Sequence, residues 1–182
     1  METEREPREA VSEMSLADVG RFLDVVEKLG ITVWIDGGWG VDALLREQTR
    51  PHADLDIVIQ EKDVVRLCGA LAQQGFEDIE TDDRTDWNFV VADKDGHRID
   101  FHVVVLDEES RGVYGPAERG VFFPASAFTG SGSIGGRPVR CGTPEYQVPS
   151  HTGYELNEND FHDVMALHER FGVELPPEYK TR

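Results

Sequence analysis

The chain has 182 residues, 39% hydrophobic and 30% charged, which suits one globular domain with a full core. Asp and Glu number 36 against 18 Lys and Arg, a formal charge of −18, so a nucleic-acid polymer is not the expected partner and a small cation is favoured. No apolar run approaches the roughly 20 residues of a bilayer span, so no membrane partner is expected either.

Residues 1–14 open with "METEREPREAVS", which lacks the apolar centre of a signal peptide and reads as a disordered leader. "SLADVGRFLDVVEKLG" is the first predicted helix. Ser15 and Asp18 have capping-box spacing, Gly30 ends it, and Leu16, Val19, Phe22, Leu23, Val26 and Leu29 form its apolar stripe. "ITVWI" is a short buried strand, and "DGGWGVDALLRE" turns through Gly37 and Gly38 into a second helix. "ADLDIVI" is a strand with Leu55, Ile57 and Ile59 on one face. "EKDVVRLCGALAQQG" is a third helix. "FEDIET", "WNFVVA" and "HRIDFHVVVL" are strands, the last two joined as a hairpin by "DKDG". "GVFF" and "RPVRC" are short strand pieces, and "FTGSGSIGGRP" reads as a mobile loop between strands. Thr143-Pro144 starts a helix that Pro149 should interrupt early, and "ENDFHDVMALHERF" is the last helix. The expected architecture is α+β: a core over 15–142, with a helical segment over 143–182 packed on the same domain. Cys68 and Cys141 are isolated, which fits reduced thiols in a cytoplasmic protein.

Asp54 and Asp56 share the polar face of an otherwise apolar strand, and Asp100 repeats the pattern beside His102, opposite Ile99, Phe101, Val103 and Val105. Three unpaired carboxylates brought together cost several kcal/mol or take up protons. A hard divalent cation resolves that conflict, and Mg²⁺ binds a few carboxylates together with substrate phosphates. Asp54, Asp56 and Asp100 are therefore the candidate metal ligands. Gly37 and Gly38 let backbone approach a phosphate at a helix start, though the stretch is neither a GxGxxG fingerprint nor a P-loop.

The ordered set of strand, GG turn, helix, DxD strand and later lone Asp resembles the nucleotidyltransferase superfamily of the DNA polymerase beta type. "WIDGGWGVDALLREQTRPHADLDI", "IDFH" and "HTGYELNENDFHD" are most similar to lincosamide nucleotidyltransferases, with aminoglycoside adenylyltransferases a step further away. The likeness runs from about Thr32 to Leu167. It implies the nucleotidyltransferase fold, with a small mixed sheet flanked by helices. It implies AMP transfer from ATP, or another NMP from its triphosphate, to a hydroxyl of a small acceptor, with Mg²⁺. In that reading Asp54 and Asp56 hold the metal, and Asp100 completes the site or serves as base. Gly37, Gly38 and Trp39 line the triphosphate, and Arg50 and His52 steady it. The chain departs from the family at Glu47, where a basic residue is expected, and at Pro149.

His102, His151, Tyr154, Glu158 and Asp160 are the expected acceptor contacts, with Asp163 following on the same acidic stretch. A protonated amine with several hydroxyls suits such a site. His162 and His168, six apart, are surface or packing residues; Trp34 and Trp39 are core residues more often than ligand stackers, and Trp39, beside the glycines, suits either. The alternatives are an aminoglycoside acceptor, another small molecule, a protein or nucleic-acid end, or an inactive binding module. Intact acids at 54, 56 and 100 argue against the last. A monomer or a homodimer fits equally.

Overall fold

The computed structural model describes residues 12–180. Helix α1 (Leu16–Leu29) begins with the capping box: Ser15 Oγ accepts from the Asp18 N–H, and Asp18 accepts from the Ser15 N–H at 2.8 Å. Gly30, at φ 63°, ends it in the left-handed conformation. Val19, Phe22, Leu23, Val25 and Val26 are buried, whereas Leu16 stays 42% exposed at the helix head. Residues 12–14, expected within the leader, are tied to the core. Met14 is buried and its N–H donates to the His52 carbonyl at 2.8 Å, while the Ser12 N–H donates to Gly96. Residues 1–11 lie outside the described residues.

The core is a nine-stranded mixed sheet. Its main path contains β1 (Val33–Ile35), β2 (Leu55–Gln60), β3 (Glu77–Ile79), β4 (Asn88–Ala92), β5 (Arg98–Leu106), β8 (Gly130–Ile134) and β9 (Arg137–Cys141) in the order β3-β4-β5-β2-β1-β9-β8. The short strands β6 (Gly112–Tyr114) and β7 (Phe122–Phe123) extend from β5. The expected β4–β5 hairpin forms antiparallel, whereas β2 and β5 run parallel with Asp56 opposite Asp100. That register puts two of the DxD-type acids side by side across strands.

Helices α2 (Gly37–Leu45) and α3 (Glu61–Ala72) pack on the sheet, and α4 (Pro144–Ser150) and α5 (Glu158–Phe171) pack on α2 and each other. Pro149 lies in the last turn of α4, which ends one residue later. Two expectations need correction. β5 alternates only to Val103: Val104 is buried and Val105 is 52% exposed, because Trp34, Val58 and Val104 form a second small cluster on the opposite face. The Gly/Ser-rich stretch is strand β8, paired with β9, and not a loop. Its glycines serve packing, since a Cβ on Gly132 would collide with the Ala43 carbonyl of α2. No helix among the described residues is long and apolar enough to cross a membrane.

Candidate active site

Four elements meet at one cleft of about 580 Å³: the glycine turn, the chain entering β2, the α4–α5 connection and the first half of α5. Gly37, Gly38, Arg50, His52, Asp54 and Asp56 line one side. His151, Tyr154, Asn157, Asn159, Asp160 and Asp163 line the other. Asp100 and His102 stand next to this lining, on β5, with Asp100 in register with Asp56.

The turn is glycine for steric reasons. Gly37 has φ 56° and a Cβ there would collide with the Asp56 carboxylate; a Cβ on Gly38 would come within 2.5 Å of Arg50 Nη2 and His52 Nδ1. Gly37→Ala should therefore cost roughly 1–2 kcal/mol for the left-handed backbone alone, lowering Tm by roughly 2–8 °C. It should also weaken nucleotide binding by displacing Asp56. Unchanged melting and unchanged donor affinity in a calorimetric titration would contradict this account of the turn.

The carboxylates are electrostatically strained. Burial, reinforced by the charges of Asp56 and Asp54, pushes Asp100 up to about 7. Burial and the Asp56 charge push Asp54 up to about 6. Asp36, the residue before the glycines, is raised mainly by burial and further by Asp56, although His102 and the Tyr146 hydroxyl oppose the shift. Tyr146 Oη donates to its Oδ2 at 3.0 Å and Gln147 Nε2 to its Oδ1 at 2.9 Å, which ties α4 to the turn.

The three expected metal ligands do not form a ready-made cage. Among the described residues no three His, Cys, Asp or Glu side chains already surround a point suited to a metal ion. The acids are nonetheless close enough to shift one another's protonation. Their chemistry still fits Mg²⁺, which is commonly held by one or two carboxylates and completed by substrate phosphates. Asp54 and Asp56 are the two that face the cleft.

The basic residues are committed to neighbours. Arg50 makes a two-pronged pair with Asp163, Nε to Oδ1 at 2.8 Å and Nη2 to Oδ2 at 2.6 Å, while Nη1 donates to the Pro51 carbonyl. His52 is buried, and its Nε2 donates to Asp42 Oδ2 at 2.5 Å, with Thr49 donating to the other oxygen. That leaves His52 Nδ1 facing Gly38. Trp39 corrects an expectation: it is 2% exposed, its ring lies on His52 and its Nε1 donates to the Met14 carbonyl, so it supports the turn from beneath instead of lining the cleft.

At the other side, His151 Nδ1 donates to the Gln147 carbonyl at 2.7 Å, leaving Nε2 toward Asp163 Oδ2, 3.9 Å away. Asp160 is a capping-box acid of α5: it accepts from the Asn157 N–H at 2.8 Å and from Tyr154 Oη at 2.9 Å. Glu158 is exposed and outside the cleft lining, because the first turn of α5 carries its side chain toward solvent. His162 is exposed beside Thr49, and His168 Nδ1 donates to the Val173 carbonyl, so both are peripheral.

Asp36, Asp42 and Asn157 are site residues that the sequence pattern did not single out. Asp36 directly precedes the GG pair, a signal that was legible. Asp42 carried none, since its partner His52 is ten residues away.

Comparison with known proteins bears on this site. The family model for aminoglycoside-2″-adenylyltransferase matches residues 18–167. A lincosamide resistance protein of Staphylococcus haemolyticus is 28% identical over 146 residues, covering 80% of this chain and 89% of that protein. The crystal structure of a lincosamide antibiotic adenylyltransferase with lincomycin bound superposes with a TM-score of 0.74 at 25% identity, over 86% of this chain and 98% of that one. ANT(2″)-Ia in complex with adenylyl-2″-tobramycin has a TM-score of 0.66 at 19% identity, over 85% and 87% of the two chains, and shares the fold. With a family model spanning most of its length and the glycine turn facing paired acids, the chain belongs to the aminoglycoside-2″-adenylyltransferase family and is a nucleotidyltransferase of α+β fold.

Proposed function

We propose that this enzyme transfers AMP from Mg-ATP to a hydroxyl of a lincosamide antibiotic in the cytoplasm. The observation that carries the reading is the single cleft joining Gly37, Gly38, Asp54 and Asp56 to the wall made by His151, Tyr154 and α5. One side suits a triphosphate and the other a small polar acceptor. The lincosamide choice is supported by the 28% and 25% identities to a lincosamide resistance protein and a lincosamide adenylyltransferase.

In this reading Gly38 and the head of α2 turn backbone N–H groups to the donor phosphates. His52 Nδ1 and the unshared N–H groups of Arg50 face the same place, held there by Asp42 and Asp163. Asp54 and Asp56 would hold Mg²⁺, which when bound neutralises the triphosphate and stabilises the departing pyrophosphate. The acceptor oxygen attacks the α-phosphorus in line, the bond to pyrophosphate breaks, and Asp100 receives the hydroxyl proton. His151 and Tyr154 orient the acceptor from the opposite wall.

The family model's own description and the −18 charge favour a second reading, an aminoglycoside acceptor. Mass spectrometry after incubation with Mg-ATP separates the two. Lincomycin or clindamycin should gain one AMP and kanamycin-type drugs little. Modification of kanamycin alone would move the enzyme to the aminoglycoside reading, and its binding would weaken more steeply with salt. Modification of neither would leave the acceptor open to another small molecule.

A further inference from the structure

Residues 12–14, ahead of α1, join parts of the chain that are far apart in sequence. Ser12 donates its N–H to the Gly96 carbonyl at 3.2 Å and its hydroxyl to the Asp95 carbonyl, both in the turn between β4 and β5. The capping box at Ser15 fixes the other end on α1. Between these anchors Met14 is 1% exposed, and both of its backbone polar groups are engaged. Its N–H donates to the His52 carbonyl at 2.8 Å, and its carbonyl accepts from Trp39 Nε1 at 3.2 Å. Trp39 in turn lies on the His52 ring, with centroids 4.7 Å apart. Met14, Trp39 and His52 thus close a triangle of contacts. What the triangle holds is the gap between Gly38 and His52. Gly38 precedes Trp39 in the chain, and a Cβ on it would come within 2.5 Å of His52 Nδ1. Ser12 and Glu13 also stand in the lining of the cleft.

We propose that residues 12–14 are a strap, with Met14 and Trp39 as positioning residues that fix Gly38 against His52 and so raise affinity for the triphosphate donor. The inference rests on the donor site given above and adds the element that sets its shape. Helix α2 carries Gly38, the segment entering β2 carries His52, and Met14 is bonded to both. Groups already held at the right separation bind an anion without the entropy cost of ordering them at that moment. Lifting the strap is costly, because it exposes an apolar side chain and parts two backbone groups from their partners. The contacts to Met14 run through its main chain, so the device depends on the path of the segment and on the indole N–H that meets it.

Calorimetric titration of the full chain with Mg-ATP, without acceptor, reads the affinity. Trp39→Phe keeps a ring beside His52 and loses the hydrogen bond to Met14. It should weaken Mg-ATP binding by about 3- to 10-fold, the net worth of one hydrogen bond. Val26→Ala, in the same core cluster, should lower Tm and leave that affinity unchanged. The second readout uses the wild type alone. By reciprocity, Mg-ATP should hold the strap down by a similar factor. Saturating Mg-ATP should therefore slow exchange of the Trp39 indole hydrogen by about 3- to 10-fold. The Trp34 indole, bonded to the Phe128 carbonyl on the other cluster, should slow less. Unchanged affinity in Trp39→Phe overturns the proposal, as does an equal affinity loss in Val26→Ala or equal slowing at Trp34 and Trp39. A wild type that binds no Mg-ATP refutes the donor site itself, and the role of the strap falls with it.

Discussion

Asp56→Asn should lower nucleotidyl transfer by about a thousandfold and leave the protein folded and more heat-stable at alkaline pH. The activity loss would follow from removing one of the two cleft carboxylates proposed to hold Mg²⁺; stabilisation of that kind is several kcal/mol, at about 1.4 kcal/mol per tenfold. The stability gain follows from the neighbours. Asp54 and Asp100 are raised by burial and by the Asp56 charge, to about 6 and about 7, from 3.8. Between about pH 4 and pH 7 the folded protein keeps protons that the unfolded chain has lost, so native stability falls as pH rises through that window and is level above it. An amide at 56 removes part of the repulsion. The variant's advantage should therefore be absent near pH 4 and full above pH 7, roughly 1 kcal/mol or about 2–4 °C in Tm for a chain of this size. Turnover near wild type would refute the metal assignment, and a Tm advantage that does not change with pH would refute the coupling.

Asp100→Asn should reduce kcat by about 10²- to 10⁴-fold, the range for losing a general base, with donor affinity kept within about threefold. The split is expected because Asp54 and Asp56 line the cleft whereas Asp100 stands beside it on the next strand. Asparagine has nearly the same size but cannot take the hydroxyl proton. Calorimetric titration with Mg-ATP measures the binding arm, and single-turnover kinetics the chemical one. Donor affinity lost in parallel with kcat would reassign Asp100 to the metal.

These two expectations stand on residues legible in the sequence. An acid on the polar face of an apolar strand is visible from period-two alternation, and so is its repetition at Asp54, Asp56 and Asp100. The capping box at Ser15 and Asp18 and the closing Gly30 were also legible, since local rules bind residues three or four apart. The family resemblance added the reaction class, which residue patterning alone left open.

Other features depended on residues brought together from distant places. Trp39 sits beside the glycines in the chain, but the packing of Met14 and His52 takes it into the core. The Gly/Ser stretch has a loop's composition, yet α2 lies so close that only glycine fits, and it pairs as β8. Glu158 and Asp160 are two apart on one helix, and the rotation of α5 leaves the first exposed and the second buried.

The sequence by itself determined the order of the helices and of the strands through β5, the acid-bearing strands, the glycine turn and the chemistry those residue types permit, because each depends on spacing along the chain. Only the tertiary structure decided which charges are already engaged: Arg50 with Asp163, His52 with Asp42, Asp36 with Tyr146 and Gln147. Those partners are between ten and 113 residues apart. No local pattern encodes a hydrogen bond across such a separation; it exists only once the sheet register and the docking of α4 and α5 have fixed where each side chain ends.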